Sequence, residues 1–429
     1  MPNMAALNGN YRVLALDNGL AVALQNTPTQ TISGRLRVHY GGLYEREGEE
    51  GLAHFLEHTV MKGGGRKFAP DAAERVMGTF GNINATTSSH ETRFLVGMMA
   101  DDLELYLEFI SDVVFHPRFD LGRVNQERQR VLRETADAKS NPTFQDYKDF
   151  RDALFGPDSP HTYHVLGREE VVARATPDDL RKFHTRGYNP NNMDLILVGA
   201  LPKNVDYLVA KYFADKLSGN RTKYDFPRNP DVKRKTVLHR RAQELYNNND
   251  PKSSSASVNI GFVAPTDEAE DSWAVGRLVQ ILGGDGNSRL FRCVSQEMGL
   301  AYGMSSNYSC QHNAGAINIG GSVQATRADE AIDTIFHEMN RLKSELVDGD
   351  ELTRINRNAG YELAKHFEIN DGRVGTIELE MDKRLTPELQ LQKMNAVTPE
   401  MVREAANKYF PTGRADGKYV LLLRDPLKK

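Results

Sequence analysis

The two halves of this chain repeat one local pattern at a constant distance. Thr176-Pro177 and Thr398-Pro399 each open a predicted helix, and the two sites lie 222 residues apart. Proline in the first turn after a threonine is typical of a helix N-terminus. Val198 and Val420, which follow these helices, keep the same separation. The pattern indicates an internal duplication of one αβ unit, so the fold must accommodate two homologous halves.

Length and local patterning extend this prediction to a fold class. At 429 residues the chain is longer than an ordinary single domain. Strands are predicted near 11–26 and 33–40 and a hairpin near 83–98, followed by a helix from Asp101 to about Val114. Runs of strands followed by helices are typical of α+β domains. We predict an α+β fold with two homologous domains, each a mostly antiparallel sheet with helices packed on one face.

The boundary between the domains is predicted where the apolar periodicity breaks. Glycine and proline residues interrupt the pattern in the stretch 219–235. We therefore assign residues 1–218 to the first domain, 219–235 to a linker and 236–429 to the second domain. The polar tract 247–255 is predicted to be a loop in the second domain.

The stretch from His54 to His58 reads H-x-x-E-H and lies in a predicted helix. Residues four apart in a helix share a face, so His54 and His58 can bind one metal ion together. Glu57 lies on the same side and can reach a water at that ion without ligating it. A second face of the helix is apolar and is predicted to pack on the core, while Gly63-Gly64-Gly65 ends the helix. The apolar face comprises Leu52, Phe55, Leu56, Thr59 and Val60. The motif predicts a metal site, with zinc as the ion.

The second copy of the repeat does not carry this motif. At the constant separation, the two histidines and the glutamate correspond to Gly276, Val279 and Gln280, none of which suits a zinc ion. We therefore predict one zinc site per chain, in the first half. His161 and His164 form a separate H-x-x-H pattern in a loop-like stretch, and we interpret them as surface histidines.

Zinc in a catalytic site takes three protein ligands, so a third ligand must come from another segment. The best candidate is the stretch 123–141, which no glycine or proline interrupts and for which Asp120 is a plausible N-cap. Glu127 and Glu134 lie seven residues apart on one face of this predicted helix. A solvated charged helix explains the same residues, and the pattern alone leaves the third ligand open.

The motif and its surroundings resemble the pitrilysin family of inverted-motif zinc peptidases, in the branch that includes mitochondrial processing peptidase. In that branch a later helix reads roughly E-R-x-x-x-x-x-E, and its second glutamate is the third ligand. Here Glu127-Arg128 precedes Glu134, so the resemblance implies Glu134 as the ligand and Glu127 as an outer carboxylate that orients the site. Other matching segments occur in the same order: Leu16–Leu20, Gly41–Glu45, Gly81, Asn84–Ser88, Thr92, Tyr188–Gly199 and Gly299–Tyr302.

The resemblance implies a zinc-dependent endopeptidase that acts on peptides or short unfolded polypeptides. Glu57 would be the general base, and the second domain would shape the substrate chamber. Extended substrate would add as a strand to the sheet edge that the first domain presents. The substrate-binding residues implied in this way are Asn84, Ala85, Thr86 and Tyr302.

One departure from the family bears on assembly. Family members often carry an arginine seven residues before the tyrosine of the G-L-A-Y segment, and the pair binds substrate. Here Tyr302 is present but position 295 is serine. We predict that the chain is the zinc-bearing subunit of a heterodimer whose homologous partner supplies the arginine and tyrosine pair. An active homodimer is the main alternative, and a non-catalytic core-type scaffold is a further one.

Composition excludes several other functions. A net charge of −4 gives no reason to expect nucleic acid or an anionic membrane as partner. Cys293 and Cys310 are too few for a disulfide framework or a cysteine zinc site. No apolar run approaches the roughly 18 residues of a membrane span. No secretory signal is visible, so we expect a cytoplasmic location, with the periplasm or an organelle as the alternative if a signal has been removed.

Overall fold

A computed structural model of the chain describes residues 11–157, 159, 162, 164–222, 236–241, 255–310, 314–415 and 418–425. The strands are β1 (Arg12–Ala15), β2 (Ala21–Asn26), β3 (Thr31–Val38), β4 (Asn82–Thr87), β5 (Thr92–Met99), β6 (Met193–Gly199), β7 (Thr236–Arg241), β8 (Ser255–Ala264), β9 (Ala301–Cys310), β10 (Gly315–Gln324) and β11 (Val420–Asp425). The α-helices are α1 (Leu52–Gly63), α2 (Pro70–Met77), α3 (Leu103–Phe115), α4 (Leu121–Ser140), α5 (Pro142–Phe155), α6 (Glu169–Arg174), α7 (Pro177–Gly187), α8 (Val205–Phe213), α9 (Ser272–Gly283), α10 (Ala328–Ser344), α11 (Gly349–His366), α12 (Asn370–Lys383), α13 (Pro387–Asn395) and α14 (Pro399–Tyr409).

The first compact unit comprises Met1–Ala138, Tyr163–Asp225 and Tyr361–Glu388. Its six-stranded sheet has the order β1-β2-β6-β3-β5-β4, in which the β2 and β6 pair is parallel and the other pairs are antiparallel. Helix α1 packs on one face of this sheet, where its apolar side chains join the main core of the unit. Strand β4 lies at the edge of the sheet, and β5 is its one partner among the strands that the structure describes. The mostly antiparallel sheet predicted from the sequence is confirmed.

The opposite face of this sheet is covered by α12, which comes from the second half of the chain. Strand β6 is buried at every position, and a strand without an exposed face requires packing on both sides. Val374 and Ile377 of α12 supply the apolar contact with this face. Ion pairs complete the attachment, because Arg37 is fully buried and donates to Asp194 at 2.7 Å and to Asp382 at 2.8 Å.

The second compact unit comprises Lys139–Thr162, Phe226–Gly360 and Leu389–Lys429. Its five-stranded sheet has the order β7-β11-β8-β10-β9, with β7 and β11 parallel and the other pairs antiparallel. Helix α5, from the first half of the chain, belongs to this unit and places Phe150 and Leu154 in a cluster with β11. The second sheet therefore repeats the plan of the first, and one added helix packs on its other face. This repetition confirms the prediction of two homologous domains.

Each unit thus includes one helix from the other half of the chain. The division predicted from the sequence, into 1–218 and 236–429, did not include this exchange. The linker prediction at 219–235 and the loop prediction at 247–255 fall mainly on residues outside the described ranges. In the described part of the chain, no helix is both long enough and apolar enough to cross a membrane.

Candidate metal centre

Helix α1 carries the H-x-x-E-H motif, and its ends are held by neighbouring residues. At its start, the Glu45 carboxylate accepts hydrogen bonds from the backbone N–H of Gly51 at 2.9 Å and of Ala53 at 2.7 Å. These are N–H groups that have no partner within the helix. At its end, Gly64 has φ of 73°, a left-handed conformation that glycine adopts without strain. The predicted glycine termination is therefore observed, while the cap by Glu45 was not foreseen.

Three side chains from α1 and α4 converge at one point. The Nε2 atom of His58 lies 3.5 Å from Oε2 of Glu134, and the Nε2 atom of His54 lies 3.7 Å from the same oxygen. One ligand atom from each of the three residues falls within 4.8 Å of the others. The three residues named in the sequence analysis as metal ligands are thus brought together, although 76 residues separate His58 from Glu134.

The spacing of these atoms fits a shared ion better than direct hydrogen bonds. Hydrogen bonds between nitrogen and oxygen span roughly 2.7–3.2 Å, shorter than either observed distance. Tetrahedral ligands about 2.1 Å from a zinc ion lie about 3.4 Å apart. The Nδ1 atom of His54 is buried and has no hydrogen-bond partner among the described residues, so no hydrogen bond there fixes the orientation of this ring. Two imidazoles and one carboxylate are also a donor set typical of catalytic zinc.

Glu127 lies behind the histidine pair, fully buried on α4. Its Oε1 atom accepts a hydrogen bond from Arg130 at 2.7 Å, and its Oε2 atom lies 3.6 Å from Nδ1 of His58. Burial lowers the pKa of His58, but Glu127 and the neighbouring carboxylates outweigh burial and raise it overall. The same negative potential favours a metal cation at this point. A carboxylate beside the distal nitrogen of a ligating histidine orients the ring, and the outer-carboxylate role of Glu127 stays a prediction with which this position is compatible.

Glu57 lies beside the histidines with its carboxylate largely buried. Burial raises the pKa of this carboxyl above its ordinary value, which brings it closer to that of a base acting near neutral pH. Thr87 donates a hydrogen bond from Oγ1 to Oε2 of Glu57 at 2.8 Å. Thr87 lies in the segment Asn84–Ser88, for which the sequence shows a resemblance to the family but predicts no role for this hydroxyl. Thirty residues separate Thr87 from Glu57, so no local spacing signals this contact.

His164 is also closer to the centre than the sequence analysis predicted. Burial, together with the nearby charges of His58 and His164, lowers the pKa of His54 to about 4. His164 is half-buried, and its Nδ1 accepts a hydrogen bond from the backbone N–H of Leu166 at 3.2 Å. His164 is thus partly exposed at the surface, and its charge also acts on His54. His161, its partner in the H-x-x-H pattern, lies outside the described residues.

The residues named for substrate binding fall into both units. Asn84, Ala85 and Thr86 lie on β4, the edge strand of the first unit. Tyr302 lies near the start of β9 in the second unit, with its side chain entirely exposed. Ser295 lies in a short helical segment (Phe291–Glu297), and its buried Oγ has no hydrogen-bond partner among the described residues.

Comparison with known proteins places this site in a family. Residues 21–152 match the family described as Insulinase (Peptidase family M16), and residues 174–358 match the one described as Peptidase M16 inactive domain. A protein of Mycobacterium tuberculosis named an uncharacterized zinc protease is 30% identical over 319 residues, covering 72% of this chain and 69% of that protein. The chain belongs to peptidase family M16.

Two further M16-like proteins extend the comparison over nearly the whole length. The uncharacterized zinc protease YmxG of Bacillus subtilis is 25% identical over 398 residues, which are 92% of this chain and 94% of that protein. The crystal structure of a protease from Helicobacter pylori has the same fold, with a TM-score of 0.84 at 20% identity, covering 97% of this chain and 100% of that chain. The match to the M16 inactive domain includes α9, where Gly276, Val279 and Gln280 correspond to the motif residues of α1.

Proposed function

We propose that this M16 protein is a zinc-dependent endopeptidase that hydrolyses peptides or short unfolded polypeptides. The observation that carries the proposal is the convergence of His54, His58 and Glu134 beside the buried carboxylate of Glu57. Relatives named zinc proteases support it. The branch that includes mitochondrial processing peptidase remains our proposal within the M16 family.

In this mechanism His54, His58 and Glu134 would hold one Zn²⁺ per chain. Bound zinc supplies Lewis-acid activation of a water molecule and of the peptide carbonyl. The carboxylate of Glu57 takes a proton from the attacking water and gives it to the nitrogen of the departing amine. Glu127 keeps the ring of His58 in its ligating orientation through the contact at Nδ1. The half-exposed side chain of Glu134 leaves this side of the site open to solvent and substrate.

Substrate binding is proposed to use the free edge of the first sheet. An extended peptide can form backbone hydrogen bonds with β4 at Asn84, Ala85 and Thr86, as in other cases of strand addition. Backbone pairing depends little on side chains, which fits broad peptide specificity. Tyr302 is proposed to contribute a contact from the second unit.

A purified sample tests the enzyme proposal directly. We expect about one zinc per chain by elemental analysis, and hydrolysis of a fluorogenic peptide that a chelator abolishes and added zinc restores. Both expectations follow from the ligand set. A chain that binds no zinc under these conditions would contradict the proposal and favour the scaffold alternative.

We further propose that the chain works as the catalytic subunit of a heterodimer. Ser295 lacks the planar guanidinium fork with which an arginine would hold a peptide carboxylate or carbonyl. A homologous second subunit would supply an arginine and tyrosine pair. We expect the chain alone to have a much lower kcat/KM than the same chain co-purified with its partner from the native source. Full activity of the chain as a homodimer, measured with its mass in solution, would refute the heterodimer.

The compartment is proposed to be the cytoplasm. Cys293 and Cys310 form no disulfide with each other, which is compatible with a reducing environment. The periplasm or an organelle is the alternative. Nucleic acid and membrane lipid are not proposed as partners, because the chain carries a net charge of −4.

A further inference from the structure

The hydroxyl of Thr87 donates its hydrogen bond to one carboxylate oxygen of Glu57. Thr87 is the last residue of β4, and its Oγ1 lies 2.8 Å from Oε2 of Glu57. The opposite residue on β5 is Thr92, whose Oγ1 lies 3.5 Å from that of Thr87, a longer and weaker contact. Thr92 has its own acceptor, the backbone carbonyl of Tyr40 at 3.3 Å. The single hydroxyl proton of Thr87 is therefore directed to Glu57.

This hydrogen bond makes the two carboxylate oxygens of Glu57 unequal. Oε2 accepts from Thr87, whereas no hydrogen bond to Oε1 is found among the described residues. We propose that Thr87 is a positioning residue, which holds Oε2 and thereby presents Oε1 as the oxygen that takes the proton from water. The role of Thr87 rests on the proposed function, because it acts through the base of that reaction.

The backbone around Thr87 is held in place by the segment that also starts α1. The hairpin turn after Thr87 receives hydrogen bonds from the N–H of Gly42 to Ser88 at 3.1 Å and from the N–H of Leu43 to Ser89 at 2.8 Å. At Gly41 the approach is so close that a Cβ atom would lie 2.4 Å from the carbonyl oxygen of Ser88. Only glycine fits there.

The same short segment ends at Glu45, the carboxylate that caps α1. One stretch of chain therefore sets the position of the hairpin that carries Thr87 and of the helix that carries Glu57. Strand β4 is also the edge proposed to receive substrate. In this arrangement β4 sets both the register of the peptide and the orientation of the base. This is an advantage, because small displacements of a catalytic group greatly lower the reaction rate.

The test compares Thr87→Val, which keeps the shape of the side chain but removes the donor, with Thr87→Ser, which keeps the donor. A hydrogen bond to a charged group contributes enough that its loss should lower kcat by about 10- to 100-fold. We expect KM to stay within about twofold and zinc content to be unchanged. Thr87→Ser should restore most of the lost kcat.

Thr59→Val is the matched control. Thr59 is a buried threonine on α1 whose hydroxyl donates to the backbone carbonyl of Phe55 at 2.9 Å, within the helix itself. Its replacement removes a hydroxyl as near to the motif as Thr87 but with no contact to Glu57, so kcat should be nearly unchanged. Equal losses in Thr59→Val and Thr87→Val would overturn the specific role of Thr87.

Crystal structures of the wild type and the Thr87 variants separate this inference from the enzyme proposal. In Thr87→Val the carboxylate of Glu57 should rotate away from its wild-type position or occupy two positions, and in Thr87→Ser it should keep one. A single unchanged carboxylate in Thr87→Val would overturn the inference even if the wild type hydrolysed peptides. The expected rotation, in a chain that shows no hydrolysis, would support the positioning contact and refute the proposed function.

Discussion

Replacement of Glu57 by glutamine is expected to leave zinc binding intact and to lower kcat by about 10²- to 10⁴-fold, the contribution typical of a positioned general base. The amide has nearly the shape of the carboxylate and can still accept the hydrogen bond from Thr87 through its oxygen. It cannot take a proton from water. Elemental analysis and hydrolysis of a fluorogenic peptide, performed on the same preparation, measure the two halves of this expectation.

The matched control for this change is Glu74→Gln. Glu74 lies on α2 with a half-exposed side chain that pairs with Arg123, so the same chemical change there should leave kcat near the wild-type value. If Glu57→Gln retained full activity, Glu57 would not be the base. If it lost zinc together with activity, Glu57 would have to be placed among the ligands.

The second large effect is expected at the third ligand. Glu134→Gln replaces an anionic ligand by a neutral amide, and zinc affinity should fall by at least about 10- to 100-fold, the range observed when only an orienting partner of a ligand is lost. Activity at limiting zinc should fall in parallel and should recover in part when zinc is added in excess. Competition with a chromogenic chelator measures the affinity.

Asp137→Asn provides a control on the same helix. Asp137 lies on α4 about one turn after Glu134, is exposed, and loses the same charge when replaced. The zinc affinity of the Asp137→Asn variant should match that of the wild type. Unchanged affinity in Glu134→Gln would remove Glu134 from the ligand set and require another third ligand close to His54 and His58.

The comparison of the two units shows how one fold can carry the candidate metal ligands in one copy and lack them in the other. Helices α1 and α9 occupy equivalent positions in the repeat, and both bury an apolar face against a sheet. They differ at the motif positions, where α9 has Gly276, Val279 and Gln280 in place of the motif residues. Packing therefore does not depend on the metal ligands, which can be present in one copy and absent from the other.

Several features could be predicted from the sequence because their signals are local or periodic. The H-x-x-E-H spacing places His54 and His58 on one helical face regardless of tertiary context, and the glycines after it end the helix. The repeat of 222 residues predicted two homologous sheets. Glu134 was different, because spacing alone left the third ligand open and only resemblance to a known family singled it out.

Contacts between distant segments were decided by the tertiary structure. The hydrogen bond from Thr87 to Glu57, the cap that Glu45 provides for α1, and the approach of His164 to His54 join residues that no helical or strand period relates. The exchange of α5 and α12 between the compact units belongs to the same class. By itself, the sequence determined which side chains share a helix face, since backbone geometry repeats every few residues. Tertiary packing decided which carboxylate lies beside which histidine and which hydroxyl orients the base. These contacts join residues far apart in the sequence, and such packing follows no repeating pattern along the chain from which it could be predicted.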